Sequence, residues 1–300
     1  MHQRALAVAI FSLAVLLLAL RPNQPIRFTA SEAVVAAQGP RAPTFTPAPP
    51  SPTPAATPAP VAAPVPPFTP LPAGERRYIP ILMYHYVRTV DRNADPLGYN
   101  LSVTPEQFAV QLAWLAENGY ETVRMDAAAA CMRGEAACPA RAVALTFDDG
   151  YMDAYTAALP LLQERGFVAT FYIVSGFVGR TGYMGWDELR AMRDAGMEIG
   201  SHTVNHPDLT SLSSAAAQRE IAQARATLMT ELELPILSFC YPLGRFNTAL
   251  ANIVREAGYT SATTTIQSGP QDNLFTLPRL RVSGGMSLSS FAAMIQAVLP

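Results

Sequence analysis

The 300-residue chain contains no lysine; all 21 basic residues are arginine. That absence excludes a phosphate-binding loop lysine, a pyridoxal Schiff base and a lysine general base. Histidine is scarce as well, present at four positions: His2, His85, His202 and His206. Charge is low: 15% of residues are charged and the net charge is −2. Nothing in that balance attracts a polyanion, so no nucleic-acid partner is expected. What the chain has is apolar residues, half of the total. A chain of this size buries a core without help from disulfides or metals, as one large domain or two small ones.

The N-terminus divides from the rest by composition. Ala5–Leu20 is an apolar run flanked by Arg4 and Arg21. It reads as the h-region of a secretory signal or as a short signal anchor, slightly below the about 20 residues of a spanning helix. Residues 39–73 then hold 14 of the 27 prolines, mixed with Ala, Thr and Ser. Such a stretch forms neither ladder nor helix and stays extended. The expected organisation is a signal peptide or anchor over 1–21, an Ala/Pro-rich linker over 22–73 and a folded domain over 74–300. Export is expected, to the cell envelope or the medium. An uncleaved segment would tether the domain to the membrane through residues 5–20.

Within the domain, short apolar runs alternate with helical patterns. Strands are predicted at Ile79–His85, Ala142–Phe147, Ala169–Val174, Met197–Ser201 and Ile236–Tyr241, with strand-like pieces at Thr260–Thr264 and Leu277–Val282. Helices are predicted between them, for example after Thr104-Pro105-Glu106-Gln107, where Thr caps, Pro takes the first turn and Gln completes a capping box. This alternation means an α/β fold with a largely parallel sheet. In such folds reactive groups gather at the C-terminal ends of strands.

Two strand ends carry unusual groups. Asp148 and Asp149, in Thr146-Phe147-Asp148-Asp149-Gly150, follow a buried strand directly. Adjacent desolvated carboxylates repel, and a metal cation relieves that; the same residues also suit a plain turn. His202 and His206 follow Met197–Ser201 and face one ion if the segment is tightly turned. One carboxylate and two imidazoles leave open positions, as in a catalytic metal site. The second carboxylate is then free to act as a base. The two motifs are expected on neighbouring strand ends. Cys131 and Cys138 suit a local disulfide in an exported protein, and Cys240 reads as a buried strand residue.

TFDDG at 146–150 and SHTVNH at 201–206 resemble the first two motifs of the polysaccharide deacetylases, the carbohydrate esterase family 4 enzymes with the NodB-homology fold. The resemblance extends over about residues 78–285. It includes Ala169-Thr170-Phe171, Trp186-Asp187-Glu188-Leu189, Tyr241-Pro242-Leu243-Gly244 and Leu277-Pro278-Arg279. It implies a distorted (β/α) barrel of about seven strands and metal-dependent removal of N- or O-acetyl groups from a polysaccharide. It implies Asp148 as the base, Asp149, His202 and His206 as ligands of one divalent transition metal, with zinc first, and the backbone N–H of Tyr241 toward an oxyanion. Co, Ni, Mn or Fe are the other candidate metals.

The chain departs from the pattern in two places. The arginine usual shortly before the Tyr-Pro pair is missing from Pro235–Cys240, and no histidine follows His206. Met83-Tyr84-His85-Tyr86-Val87 matches a feature of exported poly-N-acetylglucosamine deacetylase-like proteins, which makes His85 the candidate general acid, kept charged by a nearby carboxylate or by the oxyanion. The bland reading of His85 is a core histidine. Arg279 reads either as the replacement arginine that holds Asp148 ionised or as a surface arginine. Trp186 reads as a sugar-stacking residue or as core. Two other functions stay open: a catalytically silent glycan-binding protein, and a same-fold hydrolase of acetylxylan esters or a non-sugar amide.

Overall fold

A computed structural model describes residues 78–299. The expected signal segment and linker lie outside the described residues. Among the described residues no helix is long and apolar enough to cross a membrane.

Among the described residues, ten strands and eight α-helices follow one another as β1 (Ile81–Tyr84), β2 (Tyr86–Val87), α1 (Pro96–Leu101), β3 (Ser102–Val103), α2 (Pro105–Glu117), β4 (Glu121–Val123), α3 (Met125–Met132), β5 (Ala142–Phe147), α4 (Leu159–Gln163), β6 (Thr170–Ile173), α5 (Trp186–Asp194), β7 (Glu198–Ser201), α6 (Ser214–Leu232), β8 (Ser238–Cys240), α7 (Thr248–Glu256), β9 (Ser261–Thr263), β10 (Leu280–Arg281) and α8 (Leu288–Gln296). The main sheet is wholly parallel and runs β10-β1-β5-β6-β7-β8-β9, with β4 added against the first half of β5. Residues 277–282 bring its two ends together. Leu277 pairs with β9 through Ala262 and Thr264, and Leu280–Arg281 pairs with β1. The expected seven-stranded distorted barrel is therefore present. β2 and β3 form a separate two-stranded pair.

The strands are short, and β1 and β5 to β9 are buried along their whole length. All six residues of β5 are buried, as a central parallel strand requires. Helices seal the outside with one apolar stripe each. In α2 the Thr104 side chain caps the Gln107 amide while Gln107 caps Thr104, and Phe108, Leu112 and Leu115 face inward. In α6 the stripe is Ile221, Ala224, Leu228 and Leu232. The helix over 152–163 passes through a π-helical segment, Ala154–Ala158. Pro160 has no N–H to give, and the Leu159 amide reaches back five residues to Ala154 O, which absorbs the break. Cys131 and Cys138 form a disulfide with Cα atoms 5.5 Å apart, while Cys240 is a free buried thiol.

At the end of the barrel away from the strand C-termini, Glu198 opens β7. Its Oε2 accepts from Thr170 Oγ1 at 2.7 Å and from the Asp126 amide at 3.1 Å. Burial, then the nearby Asp126 charge, pushes its pKa up to about 7. The folded state thus holds a proton that the unfolded chain releases near its ordinary value of 4.5. Stability is highest below that value, falls as pH rises toward 7 and is level above. Glu198→Gln should raise the melting temperature by several degrees at pH 8 and change it little at pH 4.5. Equal shifts at both values would show that Glu198 ionisation is not coupled to folding.

Candidate active site

The strand C-termini converge on one cleft of about 360 Å³, lined by His85, Asp148, Asp149, His202, His206 and Tyr241 among others. Of the candidate residues, these six share one space, and Arg279 stands directly beneath. Trp186 is not among the cleft residues. It packs half-buried against the hydrophobic core at the start of α5.

Asp148 and Asp149 leave the end of β5, and His202 leaves the end of β7. Contrary to expectation these strands are not neighbours, because β6 lies between them. Two turns bring the groups over its end. Asp149 and Gly150 both have positive φ, 76° and 83°, and a Cβ on Gly150 would sit 3.1 Å from Ile173 of β6. Glycine therefore lets the turn lie flat on that strand. The histidine loop is tightly turned, with Thr203 and His206 in the left-handed region. The Thr203 hydroxyl accepts the His206 amide at 3.0 Å.

Asp149 Oδ1 lies 3.5 Å from Nε2 of both His202 and His206, and the three donor atoms fall within 4.8 Å of one another. His202 Nδ1–H donates to the Cys240 carbonyl at 2.7 Å, which fixes the ring orientation and turns Nε2 toward Asp149. Burial opposes charge on His202, but Cys240, Asp148 and Asp149 draw its pKa up to about 10. Burial, then His202, lowers His206. The site thus asks for positive charge but disfavours two imidazolium ions, which fits a cation held by a carboxylate and two neutral rings. Asp148, His202 and Cys240 also come close enough to share an ion. That trio is already satisfied, because Asp148 has its own cation.

That cation is Arg279, 1% exposed, on the segment that joins the sheet ends. Its two terminal nitrogens donate to Asp148 Oδ1 at 2.7 Å and Oδ2 at 2.8 Å, a bidentate pair. Its Nε donates to Thr264 O at 2.9 Å, and it reaches Thr146 Oγ1 at 3.1 Å and Cys240 Sγ at 3.1 Å. Burial alone would raise the Asp148 pKa; Arg279 holds it well below the usual carboxylate range. His85 Nε2 lies 3.9 Å from Asp148 Oδ2. Burial lowers the His85 pKa, and the opposing pull of Asp148 and Asp149 is blunted by Arg279 and Arg281. Asp148 and Asp149 thus favour a charged His85, as expected, but burial outweighs them.

Tyr241 needs a second correction. Its amide donates to Thr263 O at 3.1 Å within the sheet and does not face the cleft. Pro242 has no N–H. Leu243, the next residue, lines the cleft with φ 58°.

Glu220 carries no signal in the sequence that singles it out. From α6 its carboxylate accepts the Val204 and Asn205 amides at 3.0 and 2.9 Å and the Asn205 side chain at 2.8 Å. It clamps the loop between the two histidines. Only its position in the helix that follows the histidine loop hints at this, and glutamate there reads as surface. Glu220→Ala should weaken metal affinity about 10–100-fold, the usual effect of removing an outer-sphere support, measured by competition with a chelating dye. An unchanged affinity would show that the loop holds its shape unaided.

The polysaccharide deacetylase family model matches residues 136–262. The Bacillus subtilis (strain 168) protein YxkH, whose name assigns it to the polysaccharide deacetylases, is 30% identical over 222 residues, covering 73% of this chain and 77% of that protein. The poly-beta-1,6-N-acetyl-D-glucosamine N-deacetylase of Escherichia coli (strain K12) is 28% identical over 243 residues, 66% of this chain and 36% of that longer protein. Among solved structures, the Streptococcus pyogenes deacetylase PplD in complex with acetate superposes with a TM-score of 0.69 at 28% identity, covering 77% of this chain and 100% of that one. IcaB from Ammonifex degensii gives 0.62 at 26% identity, covering 73% and 97%.

Proposed function

The chain belongs to the polysaccharide deacetylase family, and from that premise we propose that it hydrolyses N-acetyl groups on a cell-surface or extracellular polysaccharide, releasing acetate. The observation that carries this reading is the pairing of two arrangements in one cleft. A carboxylate held ionised by Arg279 stands beside His85, and the Asp149, His202 and His206 donors stand on the other side.

A divalent transition metal, zinc by the match of its preferences to one carboxylate and two imidazoles, would be held by Asp149, His202 and His206 and would supply Lewis-acid activation of the acetyl carbonyl and the attacking water. Asp148 accepts a proton from that water. Both its oxygens bond Arg279, but a carboxylate has about four lone-pair sites, and Oδ2 also faces His85. The leaving nitrogen departs as an amine after taking a proton from His85. The Leu243 amide, just beyond the end of β8, takes the oxyanion position first expected of Tyr241. Export, with the N-terminal apolar run as signal or tether, places the enzyme where such polymers lie.

Acetate release from poly-N-acetylglucosamine, chitooligosaccharides, peptidoglycan and acetylxylan tests this reading, with and without prior chelation. Release from at least one N-acetylated polymer in excess of acetylxylan is expected, with loss on chelation and recovery with zinc. Activity confined to acetylxylan would make the enzyme an esterase; full activity after exhaustive chelation would remove the metal from the mechanism.

A further inference from the structure

We propose that Arg281 forms an anion subsite in the active cleft, so that the preferred substrate carries a carboxylate or phosphate beside the sugar that loses its acetyl group. The inference rests on the deacetylase reading and adds a substrate class to it.

Arg279 and Arg281 stand two residues apart at the end of the chain's last strand, and side chains so spaced share a face. Arg279 occupies the deeper layer under Asp148. Arg281, paired beside Met83, lies one step nearer the mouth and lines the cleft with His85 and Leu101. The arginines around this cleft differ in one respect. Arg279 is paired with Asp148. Arg245, also lining the cleft, is paired with Asp208 at 2.5 Å. Arg281 is half-buried, yet among the described residues no carboxylate, carbonyl, hydroxyl or ring is recorded as its partner.

A guanidinium that has given up part of its hydration without a counter-ion is poorly compensated. Its fork of donors matches a carboxylate or phosphate in bidentate fashion. The other charges in the cleft leave it free for such a ligand, since Asp148 is neutralised by Arg279 and Asp149 faces the two histidines. The placement also touches the chemistry. The Arg281 charge works against a proton on His85. An anion seated on Arg281 cancels that field when substrate is bound, when the acid is needed.

The test uses the metal-loaded full chain with three matched substrates: an N-acetylglucosamine oligosaccharide, the same oligosaccharide oxidised to carboxylates at C6, and its C6 phosphate ester. The parent should show a kcat/KM at least about tenfold higher on one of the anionic forms, mainly through KM, as befits a charge-assisted contact. The preference should shrink at about 0.5 M salt, collapse to near unity in Arg281→Gln and survive in part in Arg281→Lys. The two anionic arms tell carboxylate from phosphate. A parent that favours the neutral oligosaccharide, or an anionic preference unchanged in Arg281→Gln, overturns the subsite. If no oligosaccharide yields acetate, the deacetylase reading fails separately. Calorimetric titration of the same three compounds then decides: tighter binding of an anionic form by the parent but not by Arg281→Gln supports the subsite, and equal binding overturns it.

Discussion

Asp148→Asn should release acetate about 10²–10⁴-fold more slowly than the parent, the range for losing a general base, while metal content stays close to the parent value. Asparagine keeps the shape and accepts hydrogen bonds through its carbonyl, but it cannot take a proton from water. The metal should stay because its proposed ligands, Asp149, His202 and His206, are untouched and supported elsewhere, by the Cys240 carbonyl and by Glu220. A structural effect accompanies the catalytic one. The neutral amide would leave the buried Arg279 guanidinium without its charge partner, and breaking such a pair typically destabilises by about 3–5 kcal/mol. The remaining bonds of Arg279 to Thr264 and Thr146 soften the effect without supplying charge. The variant should therefore melt well below the parent but remain folded at room temperature. Rates must be taken per folded molecule, with circular dichroism and elemental analysis on the same sample. The sign with pH follows from the depressed Asp148 pKa. Its contribution is present above the ordinary carboxylate value and lost as pH falls through the lower, folded-state value. Parent and variant should thus converge in stability under strong acid. Near-parental rates in a folded, metal-loaded Asp148→Asn would overturn the division of labour between the two aspartates.

The sequence carries the parts of this molecule that depend on a residue's own side chain. The capping box at Thr104 and Gln107 needs two residues three apart, and the buried run Ala142–Phe147 needs only its own apolarity; both appear as expected. The same holds for the Asp-Asp and His-x-x-x-His pairs, whose chemistry is written locally. What is illegible depends on distant partners. Whether Arg279 is a surface arginine or the cation under Asp148 is decided 131 residues away. The occupation of the Tyr241 amide is decided by Thr263 on the neighbouring strand, which nothing about tyrosine encodes. Trp186 sits at a helix start either way, and only packing tells core from groove. The three-residue β4 and the two-residue β2 and β3 are too short to show a period. The main sheet keeps chain order from β5 to β9, so the strand expected at Ala169–Val174 already separates the two motif-bearing strands; what the sequence does not show is how the groups meet across it. Their turns close over β6 because Gly150 permits it.

His85→Ala should separate substrates by their leaving groups. An amine anion is too basic to leave unaided, so an N-acetyl substrate needs a proton, the one His85 is proposed to deliver, whereas an aryl acetate expels a stable phenolate. The variant should lose about 10²–10⁴ in kcat/KM on the N-acetyl substrate and far less on the aryl ester, with metal content intact. His85 has no bond in the proposed metal triad, and its ring, 3.9 Å from Asp148, makes little contribution to holding that carboxylate beside the bidentate Arg279. The pH profile gives a second, independent readout. Burial, only partly offset by Asp148 and Asp149, puts the His85 pKa below its ordinary 6.5. At neutral pH the acid form is then the minority, so kcat/KM on the N-acetyl substrate should decline as pH rises above that pKa, approaching about tenfold per pH unit. The aryl ester should lack this decline in the parent, and the N-acetyl profile should lose it in His85→Ala. Equal losses on both substrates, with the alkaline decline retained, would move His85 from proton donor to a structural or oxyanion role.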